Sequence, residues 1–173
     1  MCNIVGMKKP RDEAASAPPD GRASATFLIA QLGAHAASRF AARMAVLKLT
    51  PAHAGILRIL NGTPGVTQQA LAEQLGMVPS RLVVLIDEME EQGFVERQGS
   101  PGDRRRYALH LSEKGRSMLE AVGRVAREHS QELLAALSDE EKRQLSTLLQ
   151  RVADEQGLRP GVHPGYRKMR PSH

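Results

Sequence analysis

A run of three arginines follows a turn-forming segment and opens a stretch of strand-like alternation. Arg104, Arg105 and Arg106 come directly after GSPGD, and the alternating residues of RRYALHL predict that they begin the second strand of a β-hairpin. Guanidinium groups at an exposed hairpin tip suit phosphate oxygens and the narrow minor groove of DNA. Asp103 can orient Arg105 through a bidentate pair. A solvated hairpin whose charges only aid solubility is the alternative.

Two short helices precede this hairpin. The segment QQALAEQLG predicts a helix with Thr67 as its N-cap and Gly76 at its end. MVP is expected to form a three-residue turn, Ser80 to cap the next helix, and Gly93 to end it. The apolar residues of the two helices have spacings that allow them to pack on one another, namely Ala70, Leu71 and Leu75 with Leu82, Leu85, Ile86 and Met89.

The second short helix begins with residues that can contact bases. Ser80 and Arg81 can donate hydrogen bonds to base edges or phosphates, and Val84 behind them can contact a thymine methyl group. Val83 is expected to be part of the core. The candidate DNA-binding residues are Thr67, Gln68, Ser80, Arg81, Val84, Arg104, Arg105 and Arg106, with Asp103 orienting the hairpin tip.

Acidic residues occupy the remainder of this helix and the strand after it. They are Asp87, Glu88, Glu90, Glu91 and Glu96. An anionic helix end cannot lie along phosphates, so only the N-terminal half of the helix is expected to enter a DNA groove. The change of charge sign along one helix thus predicts its docking direction.

Composition argues against catalysis and metal binding. The sequence has no GxSxG, phosphate-loop or Rossmann motif, and its six histidines form no HxxxH or HExxH pair. We therefore predict no enzyme activity, no cofactor and no metal site. The single cysteine, Cys2, cannot form an internal disulfide, and an inert thiol is preferred to a redox sensor.

Charge and composition divide the 173 residues into one domain with two tails. Residues 1–22 read as a disordered N-terminal tail with four basic and three acidic residues, and residues 159–173 form a Pro/Gly-rich tail with four basic residues and no acid. The net charge of +5 therefore comes from the tails, and the domain at 23–158 is neutral. With no transmembrane or signal segment, a cytoplasmic location without membrane contact is expected.

Long helices are predicted on both sides of the two short helices and the hairpin. Apolar spacing predicts helices at about 24–48, 51–61, 113–136 and 138–156. Thr50 with Pro51, Ser112, and Ser138 with Glu141 are the expected N-terminal signals of the last three. The predicted fold is mostly α with a small β-hairpin wing, an α+β class that combines a winged helix-turn-helix lobe at about 51–111 with a helical region.

From about Ala25 to Gln156, the chain resembles MarR-family transcriptional regulators. The resemblance lies in LTPAHAGILRIL, TQQALAEQLGMVPSRLVVLIDEMEEQGFVER and PGDRRRYALHLSEKG, where Asp103-Arg104-Arg105 matches the family's Asp-x-Arg wing pattern. The two adjacent valines depart from it, because many relatives have a polar or basic residue there.

The resemblance implies a homodimeric repressor that binds a pseudo-palindromic operator in double-stranded DNA. The helices at 24–48, 113–136 and 138–156 would dimerise. A small aromatic or anionic effector would bind between these helices and the lobe and release the DNA. The candidate effector-binding residues are His35, Ser38, Arg39, Phe40, Met44 and His53, although structural roles are open for all of them.

Two other functions are compatible with the same residues. One is a winged-helix module that docks proteins without binding specific DNA. The other is a redox- or metal-sensing regulator on the same fold. Basic residues of the C-terminal tail, including Arg167, Lys168 and Arg170, could also add nonspecific phosphate contacts.

Overall fold

The computed structural model describes residues 23–100 and 103–163, apart from the side chains of residues 100 and 103–106. The chain divides into two compact units, residues 1–37 and 38–173. The elements are α1 (Ala25–Val46), α2 (Pro51–Gly62), β1 (Val66–Thr67), α3 (Gln68–Leu75), α4 (Pro79–Glu91), β2 (Val95–Ser100), β3 (Asp103–Leu111), α5 (Glu113–Leu133) and α6 (Asp139–Glu155). The predicted tail at 1–22, with Cys2, and residues 164–173 of the predicted tail at 159–173 lie outside the described residues.

In the first unit, the described residues are 23–37 and belong mostly to α1. The Phe27 backbone N–H donates to Ser24 Oγ at 3.2 Å, so Ser24 satisfies one of the free donors at the start of the helix. Large apolar side chains of this segment are exposed, namely Phe27, Leu28, Ile29 and Leu32.

In the second unit, the helix starts have the side-chain caps that the sequence predicts. The Thr67, Ser112 and Ser138 hydroxyls each accept the backbone N–H three residues later, as does that of Thr50. At Thr50 and Ser138 the residue at the third helical position bonds back to the cap residue's own backbone N–H, which completes a capping box. These short-range hydrogen bonds fix where each helix begins.

The start of α4 differs from the prediction. The cap position is Val78, which makes no side-chain hydrogen bond, and Pro79 is the first helical residue. Proline is favoured there because its φ is already helical and its missing N–H would have no partner in any case. Ser80 therefore lies within the first turn, and the prediction that it caps the helix is wrong.

The sheet contains one strand more than the predicted hairpin. It is antiparallel with the order β1-β3-β2, and Val66 of β1 pairs with Leu109 of β3. The hairpin strands also extend further toward the tip than predicted, with Ser100 opposite Asp103 and a register irregularity after Gly99. A two-residue strand has no periodicity of its own, and it forms because β3 offers it a partner.

The core of the second unit lies between α2, α3, α4 and the sheet. The predicted packing of the two short helices is confirmed, since Leu71 and Leu75 are buried, as are the four apolar residues of α4. Met44 of α1 and Val122 of α5 also belong to this core. The buried residues of α4 are Leu82, Leu85, Ile86 and Met89.

Among the described residues, no helix is both long and apolar enough to cross a membrane. Mostly helical architecture with a small sheet agrees with the predicted fold class.

Gly115 allows α5 to pack against the turn before β2. A Cβ at this buried position would overlap the carbonyl oxygen of Phe94, which is backbone and cannot move aside. The Ser112 hydroxyl donates to Gly93 O at 2.6 Å and holds the same turn. The close approach of helix and turn thus requires glycine.

Gly115→Ala is expected to lower the free energy of unfolding by about 2–3 kcal/mol, because the backbone must shift to admit one methyl group. Gly123→Ala is the matched control on the same helix, since its Cβ would meet only the mobile end of Arg127. There the better helix propensity of alanine should add up to about 1 kcal/mol. Chemical denaturation measures both, and equal effects at the two positions would contradict this account.

Candidate nucleic-acid interface

One side of the N-terminal half of α4 faces solvent. Ser80 is exposed and Arg81 is half-buried, while Val83 and Val84 are 42% and 55% exposed. The exposure of Val84 agrees with the prediction, whereas the expectation that Val83 lies in the core is wrong. The buried stripe of α4 begins at Leu82, so both valines that follow it lie on the solvent side.

The acidic C-terminal half of α4 is bridged to the sheet by Arg97. Its Nη2 donates to Asp87 Oδ1 and its Nη1 to Glu90 Oε2. Burial lowers the pKa of Arg97, but the two carboxylates outweigh that effect and hold it above its ordinary value. Because Arg97 lies on β2, opposite Leu109 of β3, it ties α4 to the strands that carry the hairpin tip.

His53 of α2 lies beside another carboxylate of α4, that of Glu88. Its Nδ1 accepts the Thr50 backbone N–H at 3.1 Å, so the neutral ring has its proton on Nε2. Nε2 is buried and lies 3.3 Å from Glu88 Oε2, without the alignment of a hydrogen bond. Burial lowers the pKa of His53, and Glu88 offsets this only in part.

The wing carries the predicted arginine run. Residues 104–106 lie near the start of β3, directly after the hairpin tip. Their side chains and that of Asp103 are outside the described residues, so the predicted orientation of Arg105 by Asp103 stays a prediction. Tyr107, the next residue along β3, is 51% exposed.

Thr67 and Gln68 occupy the start of α3. The Thr67 hydroxyl accepts the Ala70 N–H at 3.2 Å and so serves as the helix cap. Gln68 is half-buried, and its Nε2 is buried with no hydrogen-bond partner among the described residues. A role for either residue in contacting DNA remains a prediction.

The candidate effector residues fall into different surroundings. Met44 lies in the core and His53 in the capping box of α2, so both have structural roles. Arg39 Nη2 donates to Glu132 Oε2 at 3.2 Å, and the Phe40 ring lies 5.6 Å from that of His129. Ser38 is exposed in the same unit, and His35 is exposed in the first unit.

Sequence reasoning missed the bridging role of Arg97 and the packing of His53 on Glu88. Neither has a periodic signal, because each contact joins different elements. A basic residue on the strand that follows an acidic helix end was the one available indication. Within the described part of the chain, no three His, Cys, Asp or Glu side chains gather as metal ligands.

Comparison with known proteins identifies the architecture. The family model described as MarR family matches residues 47–106, from the end of α1 to the wing arginines. Over this segment the chain is similar to the MarR family. A putative transcriptional regulatory protein for the hcr operon of Thauera aromatica is 36% identical over 104 residues, which are 60% of this chain and 63% of that protein. The function printed for that relative, transcriptional regulation, is not an enzyme activity, in line with the sequence prediction.

Solved structures of MarR-family proteins have the same fold. The transcriptional repressor CouR bound to a 23-mer DNA duplex is 28% identical with a TM-score of 0.66, covering 75% of this chain and 92% of that one. A MarR-family protein of Mycobacterium tuberculosis in complex with salicylic acid is 24% identical with a TM-score of 0.62, covering 76% and 98%.

Arg97→Met is expected to destabilise the second unit by about 1 kcal/mol, because it leaves two neighbouring carboxylates without their cation. The loss should shrink at about 1 M salt, where exposed charges are screened. Arg116→Met is the control, since Arg116 makes only an exposed pair with Glu113 on the same helix. Denaturation at low and high salt measures the effect, and a loss equal to that of the control would refute the bridge.

Acidification is expected to destabilise the fold through His53. The pKa of His53 is lower in the folded chain than its ordinary value, so the unfolded chain binds the proton more readily. Stability is therefore lost as the pH falls below about 6.5.

His53→Gln separates this titration from the capping role, because glutamine at the third position also completes a capping box. Unfolding free energies at about pH 7.5 and about pH 5.5 should differ less for the variant than for the wild type. Parallel pH curves for the two proteins would rule out His53 as the titrating group.

Proposed function

We propose that this chain is a homodimeric regulator of transcription that binds specific double-stranded DNA as a repressor. The observation that carries the proposal is the difference between the N-terminal and C-terminal halves of α4. The exposed side of its N-terminal half bears Ser80, with Arg81 half-buried beside it, while Asp87 and Glu90 of its C-terminal half are bridged by Arg97 within the lobe. In this proposal the helix enters the major groove by its N-terminal end.

Electrostatics supports this direction of approach. A helix N-terminus bears a partial positive charge and free N–H groups that suit a phosphate. Arg81 adds a full positive charge near that end, and the arginines of the wing follow on β3. Val83 and Val84 cannot hydrogen-bond to bases, so their contribution to specificity is contact with thymine methyl groups.

Dimer formation is proposed from the apolar face that α6 exposes. On α6, Leu148, Leu149 and Val152 are 56%, 43% and 51% exposed, and the helix has no buried residue. Their spacing places them on one face with Leu145. A second copy of the chain would cover this face. Two lobes related by a two-fold axis would then read an inverted repeat, the pseudo-palindromic operator.

Effector control is proposed at the end of α1 that belongs to the second unit. Arg39 and Arg43 both donate to Glu132, so an anionic small molecule could replace this carboxylate as their partner. Phe40, whose ring lies 5.6 Å from that of His129, offers an aromatic surface in this unit, and Ser38 and His35 remain candidates on α1. The salicylic acid complex of the M. tuberculosis relative supports an aromatic acid as the class of effector.

Selection from a randomised duplex pool tests the function directly. The wild type is expected to enrich an inverted repeat with half-site centres about 10 bp apart, as one helical turn requires. Arg104→Ala/Arg105→Ala should bind the enriched site about tenfold or more weakly and with a smaller salt dependence, because phosphate contacts are lost. Arg116→Ala/Arg143→Ala removes the same charge from exposed helix positions and should bind like the wild type.

A folded wild type that enriches no sequence at moderate salt would refute specific DNA binding. A single unrepeated site would refute the dimeric arrangement while leaving DNA binding in place.

A further inference from the structure

The chain after α6 returns to the helix-turn-helix lobe. Gly157 ends the helix in the left-handed conformation, with φ +64°, and the Leu158 N–H donates to Ala153 O at 3.0 Å. Residues 157–163, here named the strap, then lie against α2 and α3. The strap is therefore an ordered part of the second unit that continues α6 back to the lobe.

The first attachment of the strap is at the end of α3. Arg159 Nη1 donates to Glu73 O at 2.7 Å. Glu73 lies in the last turn of α3, where carbonyl groups lack helical partners and the helix dipole favours a cation. The Gly76 N–H donates to the same oxygen at 3.2 Å, so Arg159 reinforces the turn that joins α3 to α4.

The second attachment is on α2. The Arg58 guanidinium donates to Gly161 O, and Gly161 has a φ of +70° that other residues rarely adopt. Val162 is half-buried and packs against the core of the lobe. Two arginines therefore hold the strap. Arg58 of α2 binds a backbone carbonyl of the strap, and Arg159 of the strap binds a backbone carbonyl of α3.

Packing beneath the strap is incomplete. A cavity of about 160 Å³ remains between it and the end of α3, lined in part by Leu75, Gly76 and Val162. Leu158, the first strap residue after the turn, is 47% exposed. The strap is thus held mainly by exposed hydrogen bonds, which can break and re-form without disrupting the core.

We propose that the strap couples α6 to the DNA-reading helices, with Arg159 and Arg58 as positioning residues. The strap stabilises the end of α3, and α3 packs on α4, so displacement of α6 would loosen the support of the recognition helix. This inference rests on the proposed function for its effect on DNA. In this inference the binding partner of the Arg159 guanidinium is a backbone carbonyl of α3 and not a phosphate of DNA.

Arg159→Ala tests the first attachment, with Arg159→Lys as the conservative variant and Arg143→Ala as the charge control. Hydrogen exchange of the Gly76 and Met77 amides, measured without DNA, should become about fivefold faster in Arg159→Ala, the size expected for one lost hydrogen bond. The lysine variant can still donate to Glu73 O and should restore most of the protection. The charge control should exchange like the wild type.

The same variants are then compared on the duplex that the wild type selects. Arg159→Ala should bind about three- to fivefold more weakly, since the loosened state competes with binding. Its salt dependence should match that of the wild type, because no phosphate contact is removed. A reduced salt slope with unchanged hydrogen exchange would overturn the proposal in favour of a direct phosphate contact.

Two truncations separate the strap from the residues beyond it. A chain ending after His163 keeps the strap and removes Arg167, Lys168 and Arg170, whereas a chain ending after Gln156 removes both. We expect faster exchange at Gly76 and Met77 only in the shorter chain. Equal exchange in both truncated chains would overturn the proposal.

The exchange measurement also keeps this inference separate from the proposed function. If the wild type binds no specific duplex, DNA recognition fails, and hydrogen exchange alone decides whether the strap stabilises α3. If the wild type binds and Arg159→Ala binds and exchanges identically, the strap inference fails while DNA recognition stands.

Discussion

Arg97 lies between two carboxylates of the recognition helix, and the relative placement of wing and helix depends on this bridge. The guanidinium is attached to β2, whose register with β3 determines where the arginine run begins. Its partners Asp87 and Glu90 are one turn apart on α4, so both bonds together resist rotation of the helix as well as its translation. The bridge thereby links α4 to the strands that carry the wing.

Three of the four carboxylates of α4 have partners within the lobe. Arg97 engages Asp87 and Glu90 from the sheet, and His53 of α2 lies beside Glu88. Charges that disfavour contact with phosphates are placed where the lobe itself uses them. The N-terminal half of the helix, free of acids, is left for an external partner. The charge pattern of α4 thus serves packing at one end and recognition at the other.

The outer helices and the lobe are connected by contacts of different strength. Met44 and Val122 bring α1 and α5 into the core, whereas α6 has no buried residue and exposes an apolar face. Its end is nevertheless attached to α3 and α2 through Arg159 and Gly161. An element that packs weakly on its own lobe but is tethered to it is suited to transmit movement, since little packing must be lost when it shifts.

The sequence by itself determined the helices, the side-chain caps of α2, α3, α5 and α6, the buried stripe of α4 and the position of the wing, because those features depend mostly on residues at most four positions apart. Only the tertiary structure decided the exposure of Val83, the bridge made by Arg97, the burial of His53 and the pairing of β1. Each of these depends on how an element is rotated or which distant strand it meets, and no local periodicity encodes that. The strap contact of Arg159, 86 positions from Glu73, is the extreme case.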